Sequence, residues 1–303
     1  MRGIPGPSTT VGESDLPPLF RASDHWAIAR QSESFHAVRT QLALLLLAAA
    51  CAMLAERINS RIPVAVAAVL YALSVALGLY SSRRRARVHW QVHRAAAETL
   101  KSLAWQYMVH GGPFRSEVRD PDALFVERME ERLRELRKVG WADPRDGPGA
   151  ARGTGQITPA MRAVRSKPFE ARRDIYLRDR MLEQLTWYRN RATQARHAAG
   201  RWAYVTAMLT ALALIAAALR AMGGLSWDLT GLLSAAAAAG VAWQEVRRHR
   251  PLTHAHSLVE QDLEMLRVAM GTTVTENGWA EAVAEAERLM SPQHTDWLVG
   301  VGS

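Results

Sequence analysis

Three groups of residues have types and spacings that could do chemistry. His249, His254 and His256 cluster around Pro251. A zinc site needs three or four converging ligands. His-x-His suits a strand better than a helix, and Cys51 is the chain's single cysteine, so no thiolate set can help. The cluster is read as a polar interfacial segment, and no metal or cofactor is expected. Arg172, Arg173, Arg178 and Arg180 form the second group. Gln184 lies one helical turn beyond Arg180, so the two could offer donors to an anion. The competing reading is packing. Met161, Tyr176, Leu185 and Tyr188 would form a buried seam, and the arginines would face water or lipid phosphate. Thr206 and Thr210 are the third group, on one face of an apolar helix. They either line a pore or bond back to their own helix. Glu98 with Lys101, and Glu260 with Asp262 and Glu264, read as ordinary helix charges rather than a general acid/base pair. There is no phosphate-cradling loop and no nucleophile elbow. No catalytic set is expected, so the chain is not read as an enzyme.

The elements that must position these residues are apolar helices. Residues 42–55 form one apolar run, short of the about 20 residues that cross a bilayer. Residues 62–80 and 202–219 are long enough. Residues 225–243 are the weakest run, with Asp228 and the alanine-rich "SAAAAAG". A soluble bundle would show a polar stripe on each helix. "IPVAVAAVLYALSVALGLY" shows none. Tyr80, Trp202 and Trp243 sit at run ends, where interfacial aromatic residues belong.

Charge orients the runs. The chain carries 38 Lys and Arg against 29 Asp and Glu, a net charge of +9, and lysine occurs only at positions 101, 138 and 167. The turns hold Arg57 and Arg61, then Arg220. The outer flanks hold more: Arg83, Arg84, Arg85 and Arg87; Arg189, Arg191, Arg196 and Arg201; Arg247, Arg248 and Arg250. The positive-inside rule therefore places both turns outside and both termini in the cytoplasm. Basic residues with tryptophans bracket the apolar runs, so they are read as membrane anchors rather than a nucleic-acid surface. The start of the chain lacks the apolar core of a cleavable signal peptide, so the first run itself is expected to direct insertion.

The expected architecture is an all-α membrane protein. It has two transmembrane helical hairpins, hence four spans, with long helices continuing into the cytoplasm. A disordered arm is expected over 1–23. A first two-helix unit follows over 24–112. A linker over 113–156 carries an amphipathic helix and the Gly/Pro-rich "ADPRDGPGAARGTG". A second two-helix unit occupies 157–303. In the linker, Asp120-Pro121 is a strong helix start, and Leu124, Phe125, Met129, Leu133 and Leu136 recur at helical spacing. Pro251 is expected to interrupt the last helical extension. Small-residue spacings such as "GLLSAAAAAG" would let helices approach closely, within one chain or between copies.

From Ile157 the chain reads "ITPAMRAVRSKPFEARRDIYLRDRMLEQLTWYRNRA". This stretch resembles the lead into the C-terminal two-helix unit of SLATT proteins (SMODS and SLOG-associating two-transmembrane effectors). Ile157-Thr158, Met161, Arg172-Arg173, Tyr176, Arg180, Gln184 and Trp187-Tyr188 carry the likeness. "RAAAETLKSLAWQYMVHGGPF" resembles the companion N-terminal unit, and "EAERLMSPQHTDW" fits the family's usual ending. The resemblance implies a membrane effector of a bacterial conflict system, in the inner (plasma) membrane. A sensor, or the product of a nucleotide-signal synthetase, would switch it, and it would then breach the lipid bilayer. Few polar residues lie in the apolar runs, so a pore would need several copies packed through small-residue faces, and a homo-oligomer is expected. A non-conducting scaffold or sensor that localises a cytoplasmic partner is the other reading.

Overall fold

The computed structural model describes residues 10–58, 60–84, 86–146, 155–247, 249–273 and 275–291. The core of the Gly/Pro-rich stretch, 147–154, lies outside the described residues. Among those described there are helices and turns and no strand. In chain order they are α1 (Pro18–Ile58), α2 (Arg61–Arg84), α3 (Ala86–Met108), α4 (Pro121–Lys138), α5 (Pro159–Arg165) and α6 (Phe169–Ile175). A π-helical segment, Tyr176–Met181, leads into α7 (Leu182–Ala221). Then come α8 (Leu229–Arg247), α9 (His249–Gly271) and α10 (Glu276–Leu289).

Local sequence explains most boundaries. Asp120 caps α4 by accepting from the Ala123 N–H, and Pro121 occupies the first turn, where a missing N–H costs nothing. Thr158 caps α5 in the same way through Met161. Thr275 caps α10 through Gly278. Pro251, expected to interrupt the last helical extension, lies within α9; Arg248, between α8 and α9, lies outside the described residues.

The chain forms two compact units, and they do not follow chain order. The first gathers residues 1–29, 88–192 and 254–303; the second gathers 30–87 and 193–253. The first has a conventional core. Leu100, Trp105, Tyr107 and Met108 of α3 meet Phe125, Met129 and Leu133 of α4 and Trp279 and Val283 of α10. The arm expected to be disordered over 1–23 is in fact built into this core from Val11 onward. Leu16, Leu19 and Phe20 are buried, the Val11 N–H donates to Asp179 at 3.1 Å, and the Thr158 hydroxyl donates to the Asp15 carbonyl at 2.6 Å. Apolar burial captures a segment whose prolines and polar residues read as unstructured.

The second unit is packed the other way round. Its buried side chains are small: Ala48, Ala67, Ser74, Ala213 and Ala216, with Gly240. Its large apolar side chains are outside, among them Leu47, Ile62, Val69, Leu214 and Ile215, each more than half exposed. Helices touch closely where glycine permits it. A Cβ on Gly78 would lie 2.9 Å from the Gln41 amide nitrogen, and one on Gly240 would lie 2.7 Å from the Thr206 methyl. At the turns, Arg220 pairs with Asp228 at 2.6 Å, and Arg57 stacks over Trp227 at 5.9 Å. Three helices among the described residues are long and apolar enough to cross a membrane: Pro18–Ile58, Arg61–Ser81 and Phe169–Ala221.

The tightest point of the first unit is the turn after α3. A Cβ on Gly111 would stand 2.3 Å from Val283 Cγ1. Gly111→Ala is therefore expected to cost about 1–3 kcal/mol by overpacking. Chemical denaturation of the purified protein measures it. In a Val283→Ala background the 2.3 Å contact is removed and the 2.8 Å approach to the remaining Cβ stays, so the same substitution should cost less. Equal costs in both backgrounds would show that the contact does not set the spacing.

Candidate functional site

The lead-in stretch delivers three arginines to the first unit's interior, and each meets a different demand. Arg165 donates through Nη1 to the carbonyls of Tyr107 (2.6 Å) and Phe114 (3.2 Å), and its guanidinium stacks 4.9 Å over the Tyr107 ring. Arg172 donates to the carbonyls of Lys167 (3.0 Å) and Val109 (3.2 Å) and to the Glu276 carboxylate (2.5 Å). The Trp279 indole N–H donates to the same Val109 carbonyl at 2.9 Å. The bonds to Tyr107 and Val109 satisfy carbonyls that the end of α3 leaves without helical partners. The turn itself is unusual: His110 has φ of 58° and Gly112 φ of 54°. Burial, then the Arg165 and Arg172 charges, push His110 down to about 4. It is neutral near pH 7, so its 3.5 Å approach to Glu276 is not an ion pair.

Arg180 is the deepest charge. Arg180 Nε and Nη2 donate to the two Glu287 carboxylate oxygens at 3.0 and 2.8 Å, and the Tyr176 hydroxyl donates to the first of them at 3.0 Å. Both charged side chains are 1% exposed. Burial works against the Arg180 cation, yet Glu287 outweighs it and holds the guanidinium charged. Burial, then the Glu287 charge, raises the Tyr176 hydroxyl well above the ordinary phenol range, so it stays a donor. The π-helical segment supplies both Tyr176 and Arg180, and the Leu182 N–H bonds the Leu177 carbonyl five residues back. Such insertions recur at functional sites.

The packing reading of the sequence placed Arg172, Arg173, Arg178 and Arg180 at water or lipid phosphate. The structure corrects this for two of them: Arg172 is 3% exposed and Arg180 is 1% exposed. Arg178 does face outward, pairing with Asp179 at 2.6 Å, and Arg173 lies over the Phe169 ring. Met161, Tyr176, Leu185 and Tyr188 are buried in the core. Trp187 is half-buried and stands edge-on to Tyr188 (4.9 Å) and His256 (5.5 Å). His256, 8% exposed, is pushed down to about 4 by burial and then by Arg191. Gln184 is half-buried and does not line the cleft that Arg180 lines.

Thr206 and Thr210 lie apart from this cluster, in the second unit. The Thr206 hydroxyl donates to the carbonyls of Trp202 (2.8 Å) and Ala203 (3.0 Å), and Thr210 to that of Thr206 (2.9 Å). Both residues also line one groove with Gln244 and Glu245 of α8. Sequence reasoning passed over these two polar residues because they follow Trp243, where the apolar run ends. It also passed over Glu276 and Glu287. Glu287 belongs to "EAERLMS", where its spacing matches that of solvent-facing helix charges.

Two family models match the chain in tandem. One, described as SMODS and SLOG-associating 2TM effector domain 3, matches residues 17–173. The other, described as SMODS and SLOG-associating 2TM effector domain 1, matches residues 176–297. No curated protein and no solved structure matches. The stretch 157–173 thus falls in the first match. The Arg180–Glu287 pair lies wholly in the second, while the Trp279–Val109 bond joins the two.

Removing one member of a buried pair strands the other charge, at a cost of about 3–5 kcal/mol. Glu287→Gln and Arg180→Met are each expected to destabilise by that order, measured by denaturant unfolding of the purified protein. The double replacement Arg180→Met with Glu287→Leu should cost less than either single change. A double variant as unstable as the sum of the two singles would show that the charges act separately.

Proposed function

Because the chain belongs to the family of SMODS and SLOG-associating 2TM effector domains and carries two of them, we propose a four-spanning, pore-forming membrane effector of a bacterial conflict system. It sits in the plasma membrane with both termini in the cytoplasm, and a partner or ligand switches it. The reading is non-enzymatic. The observation that carries it is the inverted packing of the second unit. Water would penalise that shell of exposed Leu, Ile and Val at about 25 cal/mol per Å². Lipid does not, and in lipid small residues are what helix contacts use. α8 supplies the fourth span: its 19 residues reach about 28 Å, close to the about 30 Å hydrocarbon core.

Among the described residues the second unit buries alanines, Ser74 and Gly240, so a single copy offers no wet path. Conduction therefore needs several copies. The groove lined by Thr206, Thr210, Gln244 and Glu245 supports these residues as the polar lining of such an assembly, because it puts four polar side chains of α7 and α8 on one side. The back-bonded hydroxyls still have lone pairs to offer water. They also favour the second reading, a non-conducting scaffold that localises a cytoplasmic partner, since helix back-bonding satisfies both donors without a pore.

One measurement tests the topology and a second separates the two readings. In a Cys51→Ala background, Gly223→Cys should be labelled from outside intact cells and Lys138→Cys should not. Labelling of the second would overturn the topology. The solubilised protein should be an oligomer, and raised expression should depolarise the membrane. Thr206→Val with Thr210→Val, which keeps volume and removes the hydroxyls, should weaken depolarisation while the oligomer persists. A protein that stays monomeric in lipid, and leaves the potential intact with its genomic partner and trigger present, would rule out the pore and leave the scaffold.

A further inference from the structure

A cleft of about 440 Å³ opens in the first unit between α3, α4, the π-helical segment and α10. Arg180 is one of its lining residues. Two of its three guanidinium nitrogens are committed to Glu287, and the third, Nη1, is buried with no hydrogen-bond partner. An unpartnered N–H on a buried cation is costly, and such groups in folded proteins mark a missing water, ion or ligand.

The walls say which. Four guanidinium groups line the cleft: Arg128 and Arg132 one turn apart on α4, Arg180 in the π-helical segment, and Arg288 on α10. Against them stand Glu98, Glu135 and Glu287, and each of these is already occupied. Glu98 pairs with Arg94 at 2.5 Å, Glu135 with Lys138 at 2.7 Å, and Glu287 with Arg180 at 2.8 Å. Arg132 is exposed, and no ion pair holds it among the described residues. Arg128 reaches Glu131 through Nη1 but leaves its Nε buried and unpartnered. Arg288 is held by Glu285 in turn, so the donors left over are the Arg132 guanidinium, Arg180 Nη1 and Arg128 Nε, all planar and positive.

We propose that this cleft binds a small phosphate-bearing anion. Guanidinium groups match the paired oxygens of a phosphate, and several of them converging suit an anion with more than one charge. Arg180 forms the fixed floor, held in place by Glu287. Arg128 and Arg132 are the adjustable rim. The π-helical segment gives the floor its position, and Leu103 and Leu136 offer an apolar wall for whatever the phosphate is attached to. The site is built from first-unit residues alone, so it does not require the second unit to conduct.

The test uses the purified full chain in detergent and reads its melting temperature. Pyrophosphate should raise it in a saturable way, and sodium chloride at matched ionic strength should not. Arg132→Gln and Arg128→Gln leave the Arg180–Glu287 pair untouched, so both variants should fold. Each should weaken the apparent affinity about tenfold, the loss of one charge-assisted hydrogen bond. Short-chain phosphatidic acid is the second probe. Protection by it alone would assign the phosphate to a lipid headgroup, and protection by pyrophosphate would assign it to a soluble ligand. No protection by either probe, or a double Arg128→Gln, Arg132→Gln variant protected as well as the parent, would overturn the site.

Discussion

Burying a guanidinium and a carboxylate together takes two charges out of water, at several kcal/mol each, and only near-ideal geometry recovers that. Arg180 and Glu287 meet the condition with two parallel bonds and a third from Tyr176. The pair then dictates its surroundings. α10 can dock in one register, because one turn of slip would leave both charges alone. In that register Val283 presses on Gly111, Trp279 reaches the Val109 carbonyl, and the Gly112 N–H donates to the Ala280 carbonyl at 2.8 Å. The turn after α3 is held from the other side by Arg165 and Arg172. Hydrophobic contact alone would tolerate sliding; these directional bonds do not.

One chain thus answers to two solvents. The first unit hides Trp105, Tyr107 and Trp279, with the few charges that are paired inside it, and shows the rest of its charges. The second hides alanine and shows leucine, isoleucine and valine. The difference lies in what drives association. In water, large apolar area leaves the solvent at a gain. Between helices in lipid there is no such gain, and close backbone approach at Gly78 and Gly240 takes its place.

Much of this was legible in the sequence. The all-helical membrane class followed from the apolar runs, above all residues 62–80, which show no polar stripe. The α4 start followed from Asp120-Pro121, and its inward residues from their 3.6-residue recurrence. The family followed from the lead-in stretch around Tyr176 and Arg180. What stayed hidden shares one cause: a partner far away in sequence. Arg172 and Arg180 sit in an arginine-rich run that reads as solvated. Only Glu276 and Glu287, 104 and 107 residues later, make their burial affordable. Leu16, Leu19 and Phe20 look like a loose arm until Gln156, Thr158 and Asp179 receive that segment. Periodicity reports the face a helix buries, and it carries no information about what lies opposite.

The distance between Arg180 and Glu287 also sets an order of events during synthesis. A ribosome adding about 5–20 residues per second needs about 5–20 seconds to travel from one to the other. Both apolar hairpins have been made before Glu287 emerges. Until then Arg180 has only water, and Gly111 has no Val283 against it. The first unit, although it holds the start of the chain, is therefore the last part to close. A nascent chain cut short before α10 carries finished hairpins and an open, charged interior, a state that proteases and chaperones can distinguish from the completed protein.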